Sequence, residues 1–342
     1  MPAAMGGVGV GFHPWRAIDR LVQDRVSSRS DLSAKQTWKL VFKIAVSGGL
    51  LAVLFVRIDW SEVGRTLGRA DVPVVIAALA LYIAGQALSA LKWRLLAFAV
   101  GFRASVGSFM SYYFIGMFFN AFGLGTVGGD VVRALYLAGP ERRRTLALNT
   151  VIVDRVSGLL VLLAIALVSL LAFHTYELPA VLYWSTLAFS AALLAGWRLA
   201  PYLLPKLLSP GTWLRRLVES DLAPYWNDYG LLARASAISL VFHLSQMSVL
   251  ALLAIALQLS IPWSYFLVFG PLVNIFSALP ISMNGLGVRE GGFVYFLSHI
   301  GLPRESAIAF ALLWFALVLM SGLCGGAVYL WHRNGPDVEE DG

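Results

Sequence analysis

The sequence predicts an all-α integral membrane protein with about six full spans and two re-entrant helical hairpins, arranged as two inverted-topology repeats. Three observations predict it. Of the 342 residues 58% are hydrophobic and only 13% charged, against about 25% charged in soluble domains, and the mean hydropathy is +0.75. Apolar runs of helix length recur along the chain. One glycine signature also appears twice, as Gly123-Leu124-Gly125-Thr126-Val127-Gly128-Gly129-Asp130 and as Gly285-Leu286-Gly287-Val288-Arg289-Glu290-Gly291-Gly292, with Gly285 lying 162 residues after Gly123. That offset carries Pro73–Leu91 onto Ala235–Leu253 and Leu146–Phe173 onto Ile308–Gly335, so half of the chain reads as a repeat of the other half.

Residues 1–39 form a cytoplasmic arm in which Trp15–Val26 reads as a charged amphipathic stretch on the membrane surface. The arm lacks a compact apolar core after a basic start, so no cleaved leader is expected. A crossing helix needs about 20 mostly apolar residues. Six segments meet that need: Leu40–Val56, Pro73–Leu91, Leu146–Phe173, Pro179–Trp197, Ala235–Gln258 and Ser306–Trp331. The first is the weakest, being short and carrying Lys43. Ser105–Ala138 and Trp263–Leu302 are each an apolar limb, a glycine break and a limb too short to cross alone, the pattern of a hairpin that returns to its side of entry.

Lys and Arg concentrate in short cytoplasmic loops. The arm carries Arg16, Arg20, Arg25, Arg29, Lys35 and Lys39, which puts the N-terminus inside. With both segments re-entrant, Lys92, Arg94, Arg103, Arg142–Arg144, Arg198, Lys206, Arg215, Arg216 and Arg234 fall inside as well. The exceptions, Arg57, Arg65 and Arg69, are offset by Asp59, Glu62 and Asp71. The first hairpin then dips in from the cytoplasm and the second from outside. The transmembrane domain spans 40–331, with repeat 1 at about 40–173 and repeat 2 at about 179–331, followed by an acidic cytoplasmic tail at 332–342. The net charge of +7 belongs to these loops and not to nucleic-acid binding. The single cysteine, Cys324, has no partner for an internal disulfide, and no Cys/His cluster suggests a metal.

Irregular backbone at membrane depth is tolerated only where protein buries it or where it lines a wet cavity. A close-packing glycine stripe is the bland account of one break; two breaks in register favour a transport site, since interrupted helices at matching positions mark such sites. Gly123, Gly125, Gly128, Gly129, Gly285, Gly287 and Gly291 are the hairpin glycines. The Gly123-x-Gly125-x-x-Gly128 string also matches a dinucleotide fingerprint, but it follows a membrane limb rich in Phe and no βαβ pattern surrounds it.

A charge at mid-membrane costs about 2.5–3.5 kcal/mol on insertion scales, so it faces a partner or a cavity. Asp130 and Arg133 follow the first break, Asp154 and Arg155 lie in the third span, and Arg289 and Glu290 sit in the second break. Asp154 is roughly 12 Å into its span at helical rise. Adjacent helix positions point about 100° apart, so Asp154 and Arg155 need other partners. One reading is a structural lock, with Asp130 or Asp154 paired to Arg133 or Arg289. The other is that the arginines grip a lipid phosphate while the carboxylates hold a cationic headgroup or relay protons. Gln86, His243 and Gln246 read as interhelical hydrogen-bonding groups.

Three stretches in order resemble a known family. They are Asn120 through Gly-Leu-Gly to Gly128, Gly129, Asp130 and Arg133; then Asp154, Arg155 and Gly158; then Asn284-Gly-Leu-Gly-Val-Arg-Glu to Gly291. Together they resemble the transmembrane region of lysylphosphatidylglycerol synthases, a flippase-like family with stand-alone members, over about Leu40–Trp331. The resemblance implies lipid translocation across a cytoplasmic (inner) membrane, with Asn120, Asp130, Arg133, Asp154, Arg155, Asn284, Arg289 and Glu290 lining the headgroup path. Asp154 stands where the family often carries Glu. The soluble aminoacyl-transferase domain of the full synthases is not expected here, and neither is lysine transfer from tRNA.

The expected function is therefore a lipid flippase-like transporter, with no enzyme activity, cofactor or metal, whose partners are a membrane lipid and the bilayer. A homo-oligomer or a lipid-synthesis partner is compatible with it. Two rivals are an integral membrane transferase acting on a polyprenyl-phosphate-linked substrate and a non-transporting assembly factor.

Overall fold

In the computed structural model, the described residues are 34–56, 58–122, 126–139, 143–209, 211, 212, 215, 217–279, 282 and 285–334. Most of the arm, the end of the tail, Gly123, Gly125 and Asn284 lie outside them. The helices are α1 (Ala34–Phe55), α2 (Trp60–Gly68), α3 (Val72–Ala99), α4 (Val106–Phe122), α5 (Thr126–Ala138), α6 (Arg144–Ala172), α7 (Ala180–Leu207), α8 (Ala223–Asn227), α9 (Tyr229–Ala256), α10 (Trp263–Ala278), α11 (Val288–His299) and α12 (Arg304–Asn334). The fold is all-α, as the sequence predicts.

Among the described residues five helices, not six, are long and apolar enough to cross a membrane: α3, α6, α7, α9 and α12. The helix α1 covers the first predicted span, but its apolar stretch is only Ala45–Phe55, because Lys35, Lys39 and Lys43 occupy its first half. Carboxylate caps set the start of three helices. Asp59 accepts from the N–H groups of Ser61 and Glu62, Asp71 from Val74 and Asp228 from Leu231, each satisfying backbone donors that a helix start leaves unpaired.

The central pair is α3 and α9, which run antiparallel. Asp71, at the start of α3, donates its N–H to the carbonyl of Ala256 at the end of α9 (2.9 Å). At the other end, Tyr225, just ahead of α9, donates its hydroxyl to the carbonyl of Leu96 (3.0 Å). Around this pair the packing is reciprocal: α4 lies on α12, and α10 lies on α6. Helix α6 starts at the C-terminal end of α3, where Arg143 donates to the Val100 carbonyl (2.8 Å). The last turns of α12 reach the same end, as Tyr112 near the start of α4 meets His332.

Both short helical pairs come back to the end of the bundle they leave. Phe109 near the start of α4 and Ala134, Leu137 and Ala138 at the end of α5 share one apolar cluster with Trp93 and Ala97 of α3. The tip of that hairpin, at Ala121 and Phe122, stops against Gly322, partway along α12. In the second pair Tyr265 of α10 donates its hydroxyl to the carbonyl of Phe296 in α11 (2.7 Å). Its feet rest at the opposite end of the bundle, where the Tyr176 hydroxyl meets Ser264 (2.7 Å) and His299 meets the Tyr176 carbonyl (2.9 Å). The two hairpins thus open at opposite ends, and the largest apolar core gathers around the second, with Phe266, Phe269, Phe293, Phe310 and Trp314.

Candidate functional site

The first hairpin closes because its limbs touch backbone to backbone. A methyl group on Gly129 would occupy the space of the Gly116 carbonyl and of the Asn120 amide, so only glycine fits. Asn120 uses this contact: its Oδ1 accepts from the Gly129 N–H at 2.9 Å, stapling α4 to α5. Gly128 and Gly129 thereby sit in the first turn of α5, which aims Asp130 and Arg133 across at α6.

Five charged side chains meet there. Asp154 is 4% exposed. Its Oδ1 lies 3.0 Å from Lys92 Nζ and its Oδ2 3.1 Å from Arg133 Nη2, and Lys92 also donates to the Asp154 carbonyl at 2.9 Å. Arg133 Nε donates to Asp130 Oδ1 at 3.1 Å. Arg155 grips the same carboxylate with two prongs, Nε to Oδ2 at 3.1 Å and Nη2 to Oδ1 at 2.9 Å. The chain of contacts Lys92–Asp154–Arg133–Asp130–Arg155 runs from full burial to a side chain 54% exposed. The expected lock between Arg133 and the two acids is present; Arg289 takes no part in it.

Aromatic and neutral polar groups frame the network. The Arg133 guanidinium sits 4.9 Å from the Trp93 ring centre and 5.0 Å from that of Tyr113, a geometry that stabilises a cation by the ring quadrupole. Tyr113 donates to Ser89 (2.9 Å) and Gln86 (3.4 Å). His243 of α9 bonds the Gly158 carbonyl of α6 at 3.0 Å. Gln86 and His243 are thus the interhelical groups that the sequence suggests, while the Gln246 Nε2, also buried, makes no hydrogen bond among the described residues. Arg133 Nη1 is likewise buried without a hydrogen-bond partner.

The second break is built differently. Gly285 and Gly287 take positive φ angles of 75° and 83°, which turn the chain into α11. The Gly287 N–H then donates to Glu290 Oε2 at 2.7 Å. Arg289 folds back on the other oxygen, with Nε at 3.1 Å and Nη2 at 2.8 Å from Oε1, and its guanidinium faces Phe315 of α12. Here two neighbours do neutralise each other, because a first-turn arginine is long enough to reach back. Gly291 lies one turn on, and a Cβ there would meet only Leu54 at 3.8 Å.

The two charged groups are not joined by an ion pair among the described residues. Tyr82 of α3 is near enough to both Arg155 and Arg289 to feel their charges. Sequence reasoning missed Lys92, placed there in a cytoplasmic loop; the structure corrects this, since α3 continues to Ala99 and buries Lys92 to 5% exposure. It also missed Trp93 and Tyr113. Among the described residues no three His, Cys, Asp or Glu side chains group to hold a metal ion.

Five membrane-length helices around a buried polar network define a multi-pass membrane protein. The profile of the lysylphosphatidylglycerol synthase TM region matches residues 40–326, and the chain belongs to that family. A comparison with characterised proteins returns no match.

Proposed function

We propose that this protein moves a phospholipid or glycolipid headgroup across the cytoplasmic (inner) membrane, through a polar path between two inverted halves. The observation that carries the proposal is the charge balance of the network. Among the described residues Lys92, Arg133 and Arg155 pair with only Asp130 and Asp154, so that one positive charge is in excess there and one buried Arg133 nitrogen has no hydrogen bond. Lys92 and Arg133 already balance Asp154 and Asp130, so a structural lock needs no third cation, and Arg155 adds its positive charge at the exposed end of the network. A lipid phosphate supplies the missing charge, and the guanidinium fork matches its oxygens.

The arrangement of helices supports the same reading. Asp154 is about 15 Å along α6 from its start at Arg144, near the middle of a hydrocarbon core about 30 Å thick. The basic end of the bundle, with Arg94, Arg103, Arg143 and Arg234, is the cytoplasmic end by the positive-inside rule. From there the first hairpin enters, and the second enters from the other leaflet, so rocking one half against the other would expose Tyr82 and the arginines near it to each side in turn. In this scheme Arg155, the exposed end of the network, receives the headgroup first. Energy for net movement would come from an ion gradient or from consumption of the lipid downstream, with Asp154 and Glu290 the acids proposed for such coupling.

Reconstitution into liposomes with fluorescent phospholipids and glycolipids tests this against its rivals. Protein-dependent loss of leaflet asymmetry is expected. Chemical conversion of a lipid-linked substrate in place of movement would favour the transferase, and neither result would favour an assembly factor.

A further inference from the structure

Beside the second hairpin lies an apolar groove of about 260 Å³. Its walls are Val273 and Phe276 of α10, Val288 and Tyr295 of α11, and Leu182 of α7. No charged residue lines it. The groove exists because α11 carries Gly291 and Gly292 where other helices carry a side chain. A Cβ on Gly292 would press Val273 at 3.0 Å, while one on Gly291 would make ordinary contact with Leu54 at 3.8 Å.

We propose that this groove holds one acyl chain of a membrane phospholipid. The argument starts from what lies at its mouth. Tyr295 is 48% exposed and Leu279 36% exposed, on a hairpin that the family and the five spanning helices place in a membrane, so the fluid against the opening is hydrocarbon and not water. An apolar slot open to lipid tails has no other solvent to fill it. Its dimensions select a single chain. From Val288 to Phe296 the groove follows α11 for roughly 12 Å at helical rise, and its volume lies below the ~300–1,000 Å³ of pockets that take drug-sized ligands.

Its position ties the chain to a headgroup. Val288 lines the groove and the next residue is Arg289, which leaves α11 about 100° away on the same turn. A lipid whose tail lies along Gly291 therefore has its phosphate end beside an arginine that is 12% exposed and, among the described residues, otherwise paired only with its neighbour Glu290. The groove would hold the tail of a lipid whose headgroup is midway along the path, at the tip of the second hairpin. This deepens the transport proposal and rests on it for the traffic of that lipid, though occupancy by a chain does not.

The test uses the full chain in liposomes of phosphatidylglycerol and phosphatidylethanolamine, doped with phosphatidylglycerol carrying a photoactivatable diazirine midway along one acyl chain. After illumination, adducts are mapped by mass spectrometry. Adducts on Val273–Leu279 and Val288–Phe296 should exceed those on Leu194, Leu199 and Leu203, exposed residues of α7, by roughly fivefold; the excess is modest because the competing environment is also hydrocarbon. Two variants fill the groove from opposite walls, Gly291→Leu and Leu182→Trp, and each should remove the excess without changing α7 labelling. Equal labelling of groove and α7, or an excess that survives both variants, overturns the proposal. Lipid movement is read in the same liposomes: groove adducts without movement would sink the transport reading alone, and movement without groove adducts would sink the groove alone.

Discussion

Arg133 of the first hairpin and Asp154 of α6 are joined at 3.1 Å with side chains 3% and 5% exposed, so a short helical hairpin is tethered to a membrane-length helix by a buried charge pair. Removing one member strands the other. Asp154→Asn should cost about 3–5 kcal/mol by this mechanism, seen as a lowered thermal midpoint in detergent. The double variant Asp154→Asn/Arg133→Gln should cost less than the sum of the two single variants by about 1 kcal/mol or more. Strict additivity would show that the tether carries no coupling.

Arg155 separates function from stability. Its pair with Asp130 is half-exposed, and such pairs contribute about 0–1 kcal/mol. Arg155→Gln should unfold within about 1 kcal/mol of the wild type, yet lower lipid movement about tenfold or more if this is where a phosphate docks. Arg155→Lys keeps the charge but loses the two-pronged grip, so it should recover only part of the rate. Unchanged movement in Arg155→Gln would remove this residue from the path.

Arg289→Ala should abolish movement and, because it strands the Glu290 carboxylate, which is 4% exposed, should also cost about 3 kcal/mol or more, so the rate is read per folded protein. Among the described residues its hydrogen bonds go only to the adjacent Glu290, whose second oxygen stays held by Gly287, so α11 keeps its first turn. A wild-type rate in liposomes would refute the role.

The glycines of the two hairpins should respond differently to one added methyl group. Gly129→Ala drives a Cβ into the Gly116 carbonyl, a backbone atom that cannot swing aside, and should cost about 3 kcal/mol or prevent assembly. Gly291→Ala meets nothing closer than 3.8 Å and should be near neutral. Comparable melting temperatures for the two would contradict the close approach of α4 and α5.

Outside the membrane, Asp59 caps α2, and hydrogen bonds from the Ser61 side chain and from the Glu62 and Ser61 backbone hold its carboxyl below the ordinary value of 3.8. A lowered folded value means that the cap is fully present above the ordinary value and is lost as pH falls through the folded one. Amide protection of Glu62 and Val63 should therefore stay level from neutral pH to about 5 and fall below about 4. In Asp59→Ala it should be low and flat throughout.

Much of this site is legible in the chain itself. Asp130, Arg133, Asp154 and Arg155 stand out because charge is rare in apolar runs, and they meet as a cluster. Asn120 and Gly129 are legible as parts of a break, but their contact is not, since nothing local says that a side-chain amide nine residues back staples the turn. Lys92 is the instructive miss. Hydropathy ends the second span at Leu91 because Lys92 and Arg94 follow, and only a carboxylate 62 residues further along the chain makes burial of that ammonium tolerable. Arg289 and Glu290 are the reverse case: they look poised for distant partners and instead satisfy each other.

Composition, run length and the doubled glycine signature determined by themselves that this is a helical membrane protein with two interrupted hairpins, because apolar length and backbone breaks are local properties that lipid tolerates in few ways. The tertiary structure alone decided which charges pair, that Lys92 joins the network, that the second hairpin is packed in aromatics, and that glycine leaves a chain-sized groove beside it. Those outcomes depend on side chains from different helices arriving within a few ångströms of one another, and at that range an ion pair or a void is set by geometry that no single segment encodes.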